Sequence, residues 1–400
     1  MTAAPETRLL SRREIAAWIA AYACIAAILV AIRFTSDDPD SALYAALSDR
    51  LAAGPVSHWI APQWWGQWNS EGWFREHPIG VFLLPTIMGA IGIPASQAAY
   101  IAGVGFGLAS LLLLCVLVSR VTSRVEARYA LVLLQLMPVA FIFRIRANHE
   151  YPMLLCLLAV LVGIDGVRQS WRWVPVIAAA LAFALLVKGV FIVMILLAAT
   201  LWLLLNPTRA AGSTVRPVVA MAIGIAATVA VALVYDALYL RVTGETFWRP
   251  YWERQLGPLD IATPIAGGTT LLGHLLFYVI RLLWHPAPWS LALVLAACSG
   301  GLVARVRALP VTRRRGLLFA VGFALAAIAL LSPSSRFAER YAFSATYAVA
   351  AAGAVVALGI WPRLRALVER LDARIPLLPV VVWTLLMVLR LVIGPTLPRI

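Results

Sequence analysis

The chain consists of apolar runs of about 17–24 residues separated by short arginine-rich connectors, and runs of that length match the hydrocarbon core of a bilayer when coiled as helices. This feature decides the fold class. In lipid every backbone polar group needs a partner inside the protein, which only helices and closed barrels provide. Barrel-type alternation is absent, so the expectation is an all-α polytopic membrane protein. Composition agrees: 62% of the 400 residues are hydrophobic and 13% charged, roughly half the charged share of a soluble domain. A formal charge of +15 could serve nucleic acid, but the arginines sit in connectors between apolar runs, where they set topology, and no nucleic-acid partner is expected. Cys24, Cys115, Cys156 and Cys298 lie inside apolar runs and read as packing residues. Of the 33 Lys and Arg residues, only Lys188 is a lysine.

Arg8, Arg12 and Arg13 precede the first run, about 14–33, so the N-terminus is expected in the cytoplasm. That run is long enough to remain as a signal anchor, and no cleavage site follows it. Further spans are expected at about 97–119, 129–146, 152–167, 217–240, 287–304, 316–332, 341–361 and 376–394, with 174–205 forming two short spans broken at Lys188–Gly189. The total is about eleven. Residues 79–95 are short and interrupted by Pro and Gly; crossing there would invert every arginine connector downstream, so they read as a juxtamembrane or re-entrant helix. Residues 271–286 mix Arg and His into an apolar pattern and suit a helix lying in the interface. This topology is fitted to arginine alone. Yet it places all five histidines (His58, His77, His149, His274, His285) on the outer side, which is partly independent support. The whole chain, 1–400, reads as one transmembrane domain without a soluble terminal domain or tandem repeat. Outer loops 34–96 and 241–286 form its expected active-site face.

The first loop concentrates polar chemistry. In PDSALYA, Asp40 and Tyr44 share one helix face if a helix starts near Pro39. Asp40 could then serve as general base at the membrane surface, or Asp37, Asp38 and Asp40 could simply cap the helix. Glu76-His77-Pro78 ends the loop, and His77 reads either as a phosphate or metal partner or as a surface polar group. Glu150, after His149, is either an acidic site residue or a charge complementing a helix N-terminus. His149-Glu150 has no second His at zinc-protease spacing. Lys188 either snorkels or, as an intramembrane charge, marks function; a compact ammonium suits a phosphate. Arg144, Arg146, Arg336 and Arg340 lie at the outer surface against the arginine trend, to meet lipid headgroups or a bound phosphate. The run HWIAPQWWGQWNSEGW fits the interfacial aromatic belt and equally a sugar-stacking surface.

Taken in order, PDSALYAALSDRLAAG, EHPIGVFLLP, RANHEYPMLL, LLVKGVF, WHPAPWSL and SSRFAERYAFSATYA resemble motifs of the GT-C superfamily of membrane glycosyltransferases. The nearest branch resembles protein O-mannosyltransferases and the lipid A aminoarabinose transferase. The likeness covers about residues 30–350. It implies a long first outer loop carrying juxtamembrane helices, Asp40 as catalytic carboxylate and Glu150 as the second acidic residue. It makes Lys188, Arg336 and Arg340 candidates for the lipid phosphate. Substrate contacts are further expected from Asp38, Tyr44, Glu76 and His77, and from Arg146, His149, His285 and Tyr341. The sequence departs from the family pattern at Leu43 (Arg in some relatives), His77 (often Lys), Ile79 (a second Pro) and Glu150 (an Asp).

The activity implied is transfer of a sugar from a polyprenyl-phosphate donor to an envelope glycan, lipid or protein acceptor outside the cytoplasmic (inner) membrane. Inversion of configuration is expected from the resemblance. The cofactor is unknown; a divalent cation beside Asp40 is compatible with the reading. The alternative is a lipid-linked sugar flippase or transporter using Lys188 and broken helices around a midplane site. Against it, polar residues gather in loops rather than along spans. A third reading, a non-catalytic scaffold or inactive homologue, expects Asp40 to tolerate Ala.

Overall fold

The computed structural model describes residues 12–31, 39–64, 72–137, 139, 143, 146–256, 271–299, 302–334, 338–371, 374 and 377–393. Among them there is no β-strand, only a bridge between Gln63 and Trp73. The first loop supplies α2 (Pro39–Ala53) and α3 (Gly80–Ala90), after α1 (Arg12–Ala31). The bundle continues with α4 (Ala95–Val121), α5 (Arg124–Gln135), α6 (Glu150–Val167), α7 (Val174–Lys188), α8 (Ile192–Leu205) and α9 (Val215–Thr243). The second loop carries α10 (Trp248–Leu256) and α11 (Leu271–Trp284). The rest is α12 (Trp289–Cys298), α13 (Leu302–Ala308), α14 (Val311–Leu331), α15 (Phe343–Ile360), α16 (Pro362–Leu371) and α17 (Leu377–Ile393).

Among the described residues, six helical stretches are long and apolar enough to cross a bilayer, or seven if the bent pair α11–α12 is one span. The chain is therefore a multi-pass helical membrane protein, although length and composition alone do not establish the count of eleven. One of the six is the 35-residue stretch Trp171–Leu205, and its contacts fold it back on itself. At its start, the Trp173 ring packs on Gly166, where an added Cβ would lie 2.4 Å from the ring. At its end, Trp202 Nε1 donates to Asp165 Oδ1 at 3.0 Å. In the middle, Lys188 meets Glu150 at the other end of α6. The stretch is thus a hairpin with its turn at Lys188–Gly189. The expected span at 129–146 is described as continuous helix only to Gln135.

Burial follows position in the bundle. Most of α6 is buried, Glu150 and Asp165 included. In contrast, α9 turns Val218, Ile225, Val229, Leu233 and Val234 outward, which suits a lipid-facing surface. The arginine connectors gather at the Asp165 end: Arg120 reaches Asp165 at 3.5 Å, Arg313 reaches Glu126 at 2.9 Å and Arg216 donates to the Gln169 carbonyl at 3.2 Å. The first loop covers the Glu150 end.

Residues 79–95 do not span. The eleven residues of α3 reach roughly 16 Å, about half the hydrocarbon thickness. Gly80 packs against the Leu186–Val187 backbone, where a Cβ would sit 2.6 Å from the Leu186 carbonyl carbon. Val81 and Pro85 share a small cavity with Ala99, Ala102 and Phe106 of α4, so α3 and the first turns of α4 pair antiparallel at the Glu150 end. Leu271–Trp284 is amphipathic, with His274, Tyr278 and Leu282 buried and Leu272, Leu276, Ile280 and Leu283 exposed. It meets α12 at 104°, the geometry of an interfacial helix feeding a span.

Candidate active site

The site starts from α2. Pro39 opens the helix, where its missing N–H costs nothing, and Asp40 lies in the first turn. Ser41 is buried and its Oγ accepts the Ala147 N–H at 3.0 Å, tying α2 to the segment that leads into α6. Asp40 and Tyr44 lie one turn apart, Tyr44 inward and the Asp40 side chain 32% exposed.

Two acid–base pairs converge here. Asp40 is ion-paired with Arg340 at the start of the α15 span. Glu150, the first residue of α6, receives a hydrogen bond from Lys188 at 3.2 Å, with side chains 1% and 5% exposed. The Lys188 ammonium also lies 4.6 Å from the Phe191 ring centroid and 5.1 Å from that of Tyr341, two further stabilising contacts for a buried cation. Glu150, Lys188, Arg340 and Tyr341 line one small cavity with Phe191 and Ser344. The second carboxylate oxygen of Glu150 has no hydrogen-bond partner among the described residues, an arrangement that leaves an acceptor beside two cations.

A ring cluster backs these pairs. The centroids of Tyr44 and His149 are 4.8 Å apart, and those of His77 and His149 4.1 Å apart. Burial raises the Tyr44 phenol well above its ordinary pKa, with Asp40 adding to the shift. Burial likewise pushes the His149 imidazole well below its ordinary value, helped by His77, Lys188 and Arg340. Both groups are therefore neutral near pH 7.

The other expected site residues are placed as follows. Glu76 meets Arg254 at 3.3 Å, and its carbonyl accepts from Gln255 Nε2 at 3.2 Å, so the second loop grips the first. His285 lies 3.5 Å from Glu339, the neighbour of Arg340, a layer outside the pairs. Arg146 lies over the Phe143 ring at 4.9 Å and acts electrostatically on Glu339, the neighbour of Arg340. Asp38 and Arg336, with Arg144, lie outside the described residues. Sequence reasoning passed over Arg254, Gln255 and Tyr251 of α10, and also Arg75, which is buried against Tyr239 and Glu245. The only sequence signal of the three α10 residues is the polar and aromatic character of FWRPYWERQL, which names no partner.

No group of three or more His, Cys, Asp or Glu side chains among the described residues could hold a metal ion. Asp40 and Glu150 are each engaged with a cation, and among the described residues no further carboxylate completes a metal-binding group. The described donors do not fit a divalent ion.

The sequence resembles GT-C-type glycosyltransferases, and the structure is a helical bundle whose polar first loop brings an acid–arginine pair together. Residues 76–235 match the family model described as dolichyl-phosphate-mannose-protein mannosyltransferase. No curated protein matches the chain by sequence. Among solved structures, the fold is similar to ArnT from Cupriavidus metallidurans bound to undecaprenyl phosphate, with TM-score 0.64 and 17% identity over 86% of this chain and 61% of that one. The apo state of the same protein gives TM-score 0.61 and 16% identity over 88% and 61%. The chain thus spans about three fifths of the ArnT chain.

Proposed function

We propose that this chain transfers a sugar from a polyprenyl-phosphate-linked donor to an acceptor at the outer face of the cytoplasmic membrane. The observation that carries the reading is that Glu150, Lys188 and Arg340 line one cavity at the loop-covered end of the bundle, with Asp40 paired to Arg340 beside it. The likeness to a structure bound to undecaprenyl phosphate supports the donor class. The gathering of arginine connectors at the opposite end supports an N-terminus in the cytoplasm and an outward-facing site.

In this reading the acceptor hydroxyl or amine attacks the anomeric carbon in a single inverting displacement. Asp40 takes the acceptor proton. The bond from the anomeric carbon to the phosphate oxygen breaks, and its electron pair leaves with the polyprenyl phosphate. Arg340 and Lys188 stabilise the charge that develops there. Glu150 holds Lys188 in place, and neutral His149 offers a hydrogen bond to the sugar without adding charge. Loops 34–96 and 241–286 form the active-site face. Asp38 and Arg336 retain their expected roles in substrate binding.

The test offers purified protein radiolabelled polyprenyl-phosphate sugars together with envelope acceptors. Asp40→Asn is expected to lower kcat by about 10²–10⁴-fold while the protein stays folded. Equal transfer by both proteins would remove Asp40 from the mechanism. No transfer by the wild type, together with leaflet-to-leaflet movement of a lipid-linked sugar in vesicles, would replace the transferase reading with a flippase.

A further inference from the structure

The Lys188–Gly189 break lies far from α10 in sequence, yet one side chain of α10 occupies it. The Tyr251 hydroxyl accepts the Val190 N–H at 3.0 Å and donates to the Lys188 carbonyl at 3.2 Å. These are backbone groups that an unbroken helix would satisfy along its own axis. Between them, Gly189 has φ +47°, a conformation that favours glycine. A Cβ added there would lie 2.1 Å from the Tyr251 oxygen. The hydroxyl therefore fills the gap that the missing side chain leaves and satisfies both edges of the break.

Tyr251 is itself held firmly. It is buried, stacked on Phe247 with ring centroids 5.4 Å apart, and α10 is tied to the first loop through Arg254–Glu76 and Gln255–Glu76. The break in turn fixes the direction of Lys188, whose ammonium reaches Glu150 beneath Phe191 and Tyr341.

We propose that Tyr251 is a positioning residue for the site: its hydroxyl latches the Lys188–Gly189 break and so holds the Lys188 ammonium against Glu150. The second outer loop thereby sets the geometry of the hairpin turn. The catalytic consequence rests on the transferase reading above; the latch itself does not.

Because Lys188 is the only lysine in the chain, its exposure can be read without an activity assay. The full-length protein in detergent is treated with an amine-acylating ester, and peptide mass mapping separates Lys188 from the N-terminal amine. Wild-type Lys188 is expected to react slowly. Tyr251→Phe, which keeps the ring, is expected to raise its acylation rate at least tenfold with helical content unchanged. Tyr235→Phe removes another buried hydroxyl of the same aromatic cluster, one bonded to the Ile60 carbonyl, and is expected to leave the rate at the wild-type value. Where sugar transfer is measurable, Tyr251→Phe should lower kcat and kcat/KM together with little change in donor KM, the signature of a contact made in the transition state. Gly189→Ala, whose methyl group displaces the hydroxyl, should expose Lys188 as Tyr251→Phe does, and it carries the test if Tyr251→Phe fails to fold. Acylation within twofold of wild type in a folded Tyr251→Phe or Gly189→Ala protein overturns the latch. Absence of transfer by the wild type overturns only the transferase reading, since the acylation result stands without it.

Discussion

Helix α6 carries one buried acid near each end, and the two are treated differently. Asp165 receives Trp202 Nε1 on one oxygen and Arg120 on the other, at 3.0 and 3.5 Å. Glu150 receives Lys188 on one oxygen, and its other oxygen has no partner among the described residues. Asp165 sits among the arginine connectors. Glu150 sits under the polar loop, beside Arg340 and Tyr341, in a cavity. A buried acceptor with spare capacity costs stability, and Glu126 at the Asp165 end keeps one as well, so what separates the site from the structural tie is the cavity that Glu150 shares with Lys188, Arg340 and Tyr341.

The sharpest way to break this comparison is to remove the cation at the Glu150 end. Lys188→Met leaves a buried carboxylate unpaired and is expected to cost roughly 3–5 kcal/mol, read as unfolding free energy in detergent. Adding Glu150→Leu should recover most of that loss, since a buried pair replaced by apolar groups is often neutral. Transfer should stay abolished in the double variant. If the double variant transferred sugar, the Glu150 end would be as structural as the Asp165 end.

The second test removes a donor at the opposite end. Trp202→Phe takes the N–H from Asp165 and should cost about 1–3 kcal/mol, with kcat unchanged. A loss of activity without a loss of stability would show that the two ends are coupled along α6.

How much of this was legible in the sequence depends on range. Apolar run length and arginine placement are local, and the helices and the clustering of connectors follow them. The break at Lys188–Gly189 was visible because a lone lysine and a glycine interrupt an apolar run. Asp40 and Glu150 stood out as acids at the starts of helices. The pairing of each with its own cation was not visible, because Arg340 lies 300 positions from Asp40 and nothing local selects it over Arg336. Tyr251 was illegible for the same reason: its hydroxyl serves backbone groups, which carry no sequence signature. Trp202 drew no reading in the sequence, because nothing local shows that its N–H is spent on Asp165.

A third test uses pH. All five histidines belong to the segments around the Glu150 end, so histidine titration is confined to that end. Burial, with His77, Lys188 and Arg340 nearby, holds His149 well below its ordinary pKa. The unfolded chain takes up a proton near pH 6.5 that the native site refuses. Stability is therefore expected to fall as pH drops below about 6.5. His149→Gln should make that slope shallower between pH 7 and 5. An unchanged slope would assign the proton uptake to another group.

The smallest effect is expected where the two ends are alike. Arg249–Glu253 on α10, with side chains 84% and 66% exposed, and Arg365–Glu369 on α16, 45% and 48% exposed, are both 3.1 Å or shorter and both one helical turn apart. Exposed pairs of this kind contribute about 0.3–0.5 kcal/mol and are screened by salt. Arg249→Gln and Arg365→Gln should each lower stability by about that amount, alike at the two ends and less so in high salt. If Arg249→Gln instead cost several times more than Arg365→Gln, α10 would depend on its surface pair to stay docked. The Tyr251 latch would then be secured from the solvent side as well as through Glu76. Equal small losses would leave the cavity beside Glu150, rather than surface charge pairing, as the physical difference between the two ends.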